Sequence, residues 1–288
     1  MKSNHKNYSY YPGCSLHSTG LEYGLSAQAV FRHLEMAVNE IPDWNCCGAS
    51  SAHALDHKLS LALPARNLAL AQETGDDLIA PCAACFNRMK AIDYVLRSDA
   101  KTRAEVEEIV AFKFTGQVNI RPLIAVFLED FGGERLSQHV KKPLHGLKIV
   151  PYYGCLLVRP PHVTQFDDPD NPKVISDLLN ILGAEVQDWS YATECCGAGL
   201  SLSRSDVVKS LVSNLVEKAK EAGADALVTA CPLCQVNLEM RQTIEPKMTA
   251  FYFTELMGLA FGLKETNKWW SKHLIDPRPL LRTVGLAD

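Results

Sequence analysis

Apolar positions along the chain follow two rhythms. Short apolar runs at Tyr8–Tyr11, Asp77–Ala80, Leu147–Tyr153, Ala184–Trp189 and Asp225–Ala230 fit strands, and between them apolar residues recur every three or four positions, as on a helix face. Tyr23, Ala27, Val30 and Leu34 make one such stripe, and Val174, Leu178, Ile181 and Leu182 another. The fullest stripe, Val208, Leu211, Val212, Leu215, Val216 and Ala219, predicts a helix capped by Ser205 and stopped by Gly223. Pro64 is expected to start or kink a helix running to Gly75, and Pro232 suits the first turn of a helix. Pro122–Phe131 reads as helix ended by Gly132-Gly133, and Glu134–Gly146 as a linker. Strand and helix alternating in this way predict α/β lobes with mainly parallel sheets, whose ligands gather beyond the carboxyl ends of the strands.

The pattern occurs twice. Cys14 is followed after 31 residues by Cys46-Cys47-Gly48, and after 33 more by Cys82 and Cys85. Cys155 is followed after 39 residues by Cys195-Cys196-Gly197, and after 33 more by Cys231 and Cys234. Tyr11-Pro12-Gly13-Cys14 parallels Tyr153-Gly154-Cys155, Asp43-Trp44 parallels Asp188-Trp189, and Asn67-Leu68 parallels Asn214-Leu215. Self-similarity of this extent reads as duplication into two pseudo-symmetric cysteine-rich lobes, residues 1–140 and 141–288. The stretch from Lys264, with Trp269-Trp270, reads as a C-terminal extension that packs on the body, where core anchoring is a simpler reason for the tryptophans than a partner surface.

Composition narrows the class. With 288 residues, 47% hydrophobic and 22% charged, the chain can bury a proper core, and a net charge of -4 gives no general pull toward nucleic acid or anionic membrane. Met1–Ser9 is polar and lacks the apolar segment of a secretory signal, and no apolar run approaches a membrane span, so a cytoplasmic location is expected. Ten cysteines in such a chain read as metal-binding or catalytic, since disulfides are disfavoured in a reducing compartment. Buried free thiols would explain scattered cysteines, but these fall five to a half with none left over.

Five thiolates exceed the four of a structural zinc site, and adjacent cysteines suit two metals of a larger cluster better than one ion. Zinc in one motif remains the lesser alternative. A thioredoxin-like use of each C-x-x-C would leave three cysteines per half unexplained. The ferredoxin spacing C-x2-C-x2-C-x3-C and a nucleotide-binding GxGxxG after a strand are both absent, so redox work by this chain would draw its electrons from another polypeptide.

The two copies of C-x(31–39)-C-C-G-x(33)-C-x-x-C resemble the catalytic B subunit of heterodisulfide reductase, the twin cysteine-rich CCG domain family. Leu63–Leu70, Arg159-Pro160-Pro161 and Phe166–Pro172 look like its non-methanogen branch. The resemblance implies two noncubane 4Fe–4S clusters, one on Cys14, Cys46, Cys47, Cys82 and Cys85, the other on Cys155, Cys195, Cys196, Cys231 and Cys234. It implies that they face each other across a cavity and reduce, or form, a disulfide. It implies partners too: a C subunit with cubane 4Fe–4S clusters that feeds electrons in, and a flavin-containing A subunit upstream. An electron-transfer subunit of the lactate or glycolate oxidation type, and a zinc-stabilised scaffold, are the competing readings.

Beside the cysteines, His17 and His53 are candidate proton donors to a departing thiolate, and Arg159 and Arg204 candidate anchors for an anionic substrate group. Surface histidines and arginines are the commoner case. Asn67 and Asn214 suggest side-chain bonds to backbone, and Gly48 and Gly197 a close approach of backbone to cluster.

Overall fold

A computed structural model describes residues 6–49 and 52–287. Two four-stranded sheets carry the fold. In the first, β1 (Tyr8–Tyr10), β2 (Val38–Glu40), β3 (Asp77–Ala80) and β4 (Ile120–Pro122) lie in the order β2-β1-β3-β4. In the second, β5 (Lys148–Tyr152), β6 (Glu185–Val186), β7 (Ala226–Thr229) and β8 (Thr249–Tyr252) repeat that order as β6-β5-β7-β8. Every pairing is parallel. The central strands are largely buried, as parallel strands covered by helices on both faces must be. The two α/β lobes expected from the sequence are therefore present.

Several local expectations are corrected. The helix running to Gly75 begins at His57, where Asp56 caps it by accepting from the Leu59 N–H, so Pro64 does not start it but lies inside it. Arg204, not Ser205, is the residue before the helix Ser205–Glu221. The strand expected over Ala184–Trp189 pairs only at Glu185–Val186. The supposed linker is half helix: after a π-helical stretch Val126–Gly132, a new helix Gly133–His139 forms. A single fully buried Leu136 ties it to the core, too sparse an apolar signal to outweigh its polar neighbours. β2, β4 and β8 had no clear signature; β4 even ends on a proline.

The lobes exchange helices. The helix after β8, Phe253–Ala260, packs on the first lobe's Leu21–His33, and the helices after β4, Leu123–Ala125 and Gly133–His139, pack on the second lobe's Val174–Ile181. Tyr23 and Tyr252 stack at 4.3 Å with both rings buried, an arrangement worth about 0.5–1.5 kcal/mol beyond area burial. Ser26 and Thr254 share a hydrogen bond at 2.6 Å, and the Asn87 side chain donates across the boundary to the carbonyls of Leu156 (3.0 Å) and Arg159 (2.8 Å). The two sheets are thus held in one orientation. Trp269 and Trp270 are buried, the former over Gly258, so the C-terminal extension anchors to the core.

Candidate functional site

Strand ends and helix starts bring the cysteines together. Cys82 and Cys231 each follow a central strand by two residues and stand at the N-cap of a helix, Ala83–Ser98 and Pro232–Met240 respectively. The helix dipole there favours a thiolate. Cys14 and Cys155 follow β1 and β5, and the Cys-Cys pairs follow β2 and β6. All ten are free thiols. Cys14, Cys46 and Cys195 are exposed, Cys155 is half-buried, and the rest are buried.

The sulfurs form two nests built alike. Cys14 and Cys46 lie 3.7 Å apart, and Cys155 and Cys195 3.8 Å. Cys47 and Cys85 lie 3.3 Å apart, and Cys196 and Cys234 3.5 Å. The amide of Gly48 donates to Cys46 Sγ at 3.4 Å, that of Gly197 to Cys195 Sγ at 3.3 Å. The nests meet at the lobe boundary, where Ala83 and Ala84, the residues just after Cys82, share a cavity wall with Cys231.

Sulfurs this close cannot all be anionic. The hydrogen bond between Cys14 and Cys46 pushes the Cys14 thiol up and Cys46 down, and that between Cys155 and Cys195 does the same, holding Cys195 down to about 6. Cys46 also pushes Cys47 up to about 11, and at the boundary Cys82 goes up while Cys231 goes down. Neighbouring sulfurs therefore keep some of their protons, and a polycationic metal core is the chemistry that can replace them.

In the second lobe this donor set has room for a multinuclear group. All five of its cysteines line a cavity of about 220 Å³, closed from the first lobe by Ala49, Ala83, Ala84 and Arg88. That is several times the ~30 Å³ share of a water molecule, more than one ion fills. The residues present fit an iron–sulfur cluster.

Aromatic and glycine residues set the nests. Tyr11 OH donates to the Asn45 carbonyl at 2.8 Å and Tyr152 OH to the Glu194 carbonyl at 2.8 Å, each the residue just before a Cys-Cys pair. The true counterpart of Tyr11 is therefore Tyr152; Tyr153 instead accepts from the Ile175 N–H at 2.6 Å. Gly13 and Gly154 have positive φ, and a Cβ on either would sit 3.0 Å from the sulfur of Cys85 or Cys234. These glycines admit sulfur. At Gly48 and Gly197 an added Cβ would instead meet helix side chains, Ala52 and Leu63 in one lobe, Leu211 and Val208 in the other. Asn67 holds the first Cys-Cys loop, accepting from Asn45 N–H at 2.9 Å and donating to Asn45 O at 2.8 Å. Asn214 is exposed on its helix, and the second loop is held by Asn237, which donates to Cys196 O at 3.1 Å.

The family model for the CCG cysteine-rich domain matches residues 8–90 and 149–239, each a stretch that ends just past a C-x-x-C. The chain belongs to the CCG cysteine-rich domain family. It is similar to the 8-methylmenaquinol:fumarate reductase membrane anchor subunit of Wolinella succinogenes, 28% identical over 96% of this chain and 99% of that one. It is also similar to a heterodisulfide reductase B-subunit-like protein of Archaeoglobus profundus, 30% identical over 82% of this chain and 81% of that one. In fold, a hypothetical protein of Helicobacter pylori superposes with a TM-score of 0.68 at 12% identity, over 92% of this chain and 50% of that one. No helix among the described residues is long and apolar enough to cross a membrane.

Of the remaining candidates, one histidine lies beside a nest and the two arginines stand away from the cavity. His17 stacks on Trp44 at 5.5 Å, with its Nε2 3.7 Å from Glu40, on the exposed rim of the first nest. The side chain of His53 lies outside the described residues. Arg159 is tied to the Pro169 carbonyl and Asp170, and Arg204 to Asp206; neither lines the cavity. The cavity's arginine is Arg88, which lies one turn past Cys85 on the same helix; the i+3 spacing from a cysteine was the signal available for it.

Proposed function

We propose that this chain is the iron–sulfur subunit of a heterodisulfide-reductase-like oxidoreductase, reducing or forming a disulfide between its two CCG nests. The first nest would hold one noncubane 4Fe–4S cluster through Cys14, Cys46, Cys47, Cys82 and Cys85, the second another through Cys155, Cys195, Cys196, Cys231 and Cys234. When bound, such clusters store single electrons and offer iron to a thiolate.

The observation that carries the reading is the meeting of the nests at the lobe boundary, where Ala49, Ala83 and Ala84 beside the first motif wall the cavity lined by all five cysteines of the second. A disulfide takes two electrons, and contiguous nests let both sulfurs be served at once. The protein's own residues supply position and shelter. Tyr11 and Tyr152 fix the Cys-Cys loops, while Ala83, Ala84 and Leu233 give the cavity wall apolar surface. Electrons would enter from a partner subunit with cubane clusters, fed by a flavin-containing subunit. Protein purified without oxygen should carry about eight irons per chain and reduce a small disulfide with a reduced dye as donor. Zinc-replete, colourless protein would refute the reading.

A second reading rests on the match to almost the whole length of the Wolinella protein. There the same two centres would pass electrons from a quinol toward a fumarate-reducing partner, with no disulfide. Two full centres together with quinol-dependent fumarate reduction by the native complex, and inertness toward disulfides, would select it.

A further inference from the structure

The duplicated C-x-x-C helices differ at one position in a way that crosses the lobe boundary. Three residues past the second cysteine, the first copy has Arg88 and the second has Asn237. Asn237 serves its own lobe: it bonds the Cys196 carbonyl and lies 3.8 Å from Cys196 Sγ. Arg88 faces the opposite lobe. It is half-buried in the wall of the cavity bounded by all five cysteines of the second nest, and among the described residues it is the one permanent cation of that wall. A second observation runs the same way, since Ala83 and Ala84, in the first turn of Arg88's helix, line the same cavity as Cys231.

We propose that Arg88, carried by the N-terminal lobe, is the counter-charge of the C-terminal five-cysteine nest and makes that nest the electron-accepting end of the pair. This rests on the two-cluster reading above. The physical argument is short. A cluster's reduction potential follows the net charge around it and the hydrogen bonds to its sulfurs. A guanidinium stays charged at any working pH and cannot be titrated away. Inside a half-buried cavity its field is weakly screened. Adding an electron to the second nest is therefore easier than adding it to the first, because Asn237, at the matching place in the second lobe, is neutral and turns to its own nest. The duplication supplied two equal sulfur sets, and one substitution made them unequal. Electrons delivered at the first nest would then run downhill to the second.

The test is a redox titration of the intact protein followed by electron paramagnetic resonance. The signal lost on Cys196→Ser identifies the C-terminal centre, and the signal lost on Cys47→Ser the N-terminal one. In Arg88→Gln the C-terminal centre should become at least tenfold harder to reduce, a downward shift of about 59 mV for one electron, while the N-terminal centre moves less than half as far. Arg88→Lys, which keeps the charge, should restore most of the shift. Equal movement of both centres, or none in either, overturns the proposal. Protein that binds no iron fails at an earlier step and overturns the two-cluster reading instead.

Discussion

At the sulfurs the two lobes are nearly superimposable in chemistry, and a few ångströms behind the sulfurs they are not. Each Cys-Cys loop is fixed by a tyrosine hydroxyl on the preceding carbonyl, and each following glycine amide points at the first sulfur. Behind the loops, the first lobe uses the buried Asn67 and the second uses Asn237 with Ser201. The C-x-x-C helices differ as well. The first runs 16 residues, Ala83–Ser98; the second runs 9, Pro232–Met240, and is braced from outside by the C-terminal extension. The lesson is that the groups touching sulfur kept their duplicated form, because sulfur spacing tolerates little change, while the buttresses were free to be replaced as long as backbone donors and acceptors stayed satisfied.

The hardest way to break the comparison is to remove one sulfur from each nest. Cys47→Ser and Cys196→Ser are expected to lose about half the iron each and to lower disulfide turnover by roughly a hundredfold or more, as loss of a reacting unit does. Iron analysis and turnover on the two proteins check this. If one variant kept full iron and full activity, the nests would not be equivalent holders.

The next largest effect belongs to one lobe alone. His273 of the extension is fully buried between Glu239, on the short C-x-x-C helix, at 2.6 Å and Glu255 at 2.9 Å. Burial opposes its charge, but the two carboxylates outweigh burial and push it up to about 11. Replacing it by asparagine leaves both carboxylates buried and facing an uncharged group, which costs about 3–5 kcal/mol. Because the folded value lies above the ordinary 6.5, the stabilisation is complete below about pH 6.5 and fades as pH rises through about 11. Chemical denaturation of wild type and His273→Asn should show a gap that is widest near pH 6 and narrows in alkali. A gap independent of pH would remove the charge from the explanation.

How much of this was legible in the sequence follows from the same division. The ten cysteines, the central strands β1, β3, β5 and β7, and the long helical stripes all carried strong periodic or spacing signals, and the parallel α/β lobes followed from them. Edge strands did not: β6 is two residues long, and β2 is largely exposed, so neither imposes an apolar run. The equivalence of Asn67 and Asn214 failed because a matching letter at a matching spacing says nothing of which face the helix turns inward. Pairing Tyr153 with Tyr11 failed by one residue for a similar reason, since only the hydroxyl's partner distinguishes two adjacent tyrosines. The substrate arginine was sought near the second motif, where Arg159 and Arg204 lie, whereas the cavity takes its cation from across the lobe boundary, a long-range contact invisible to local reading.

A smaller effect tests the replaced buttress directly. Asn67→Ala strips the Asn45 amide of its acceptor and the Asn45 carbonyl of one donor, and should cost about 1–3 kcal/mol. Asn214→Ala, on an exposed helix face, should stay within about 0.5 kcal/mol. Denaturant midpoints of the two proteins make the measurement, and equal losses would restore the equivalence the sequence suggested.

The smallest effect asks whether the shared half of the design is truly the same in both lobes. Tyr11→Phe and Tyr152→Phe each remove one hydroxyl and nothing else of size. The Asn45 carbonyl still receives Asn67 Nδ2 at 2.8 Å when Tyr11 is lost. The Glu194 carbonyl has no second donor among the described residues, so with both rings fully buried Tyr152→Phe leaves it without a partner. A net hydrogen bond is worth about 1 kcal/mol, so Tyr152→Phe should cost about that much and Tyr11→Phe clearly less. Both changes should leave the iron content untouched, because the glycine amides and the sulfurs remain. If Tyr11→Phe proved the more damaging, Asn67 would not be sharing the load, and the first lobe would depend on its tyrosine as fully as the second does.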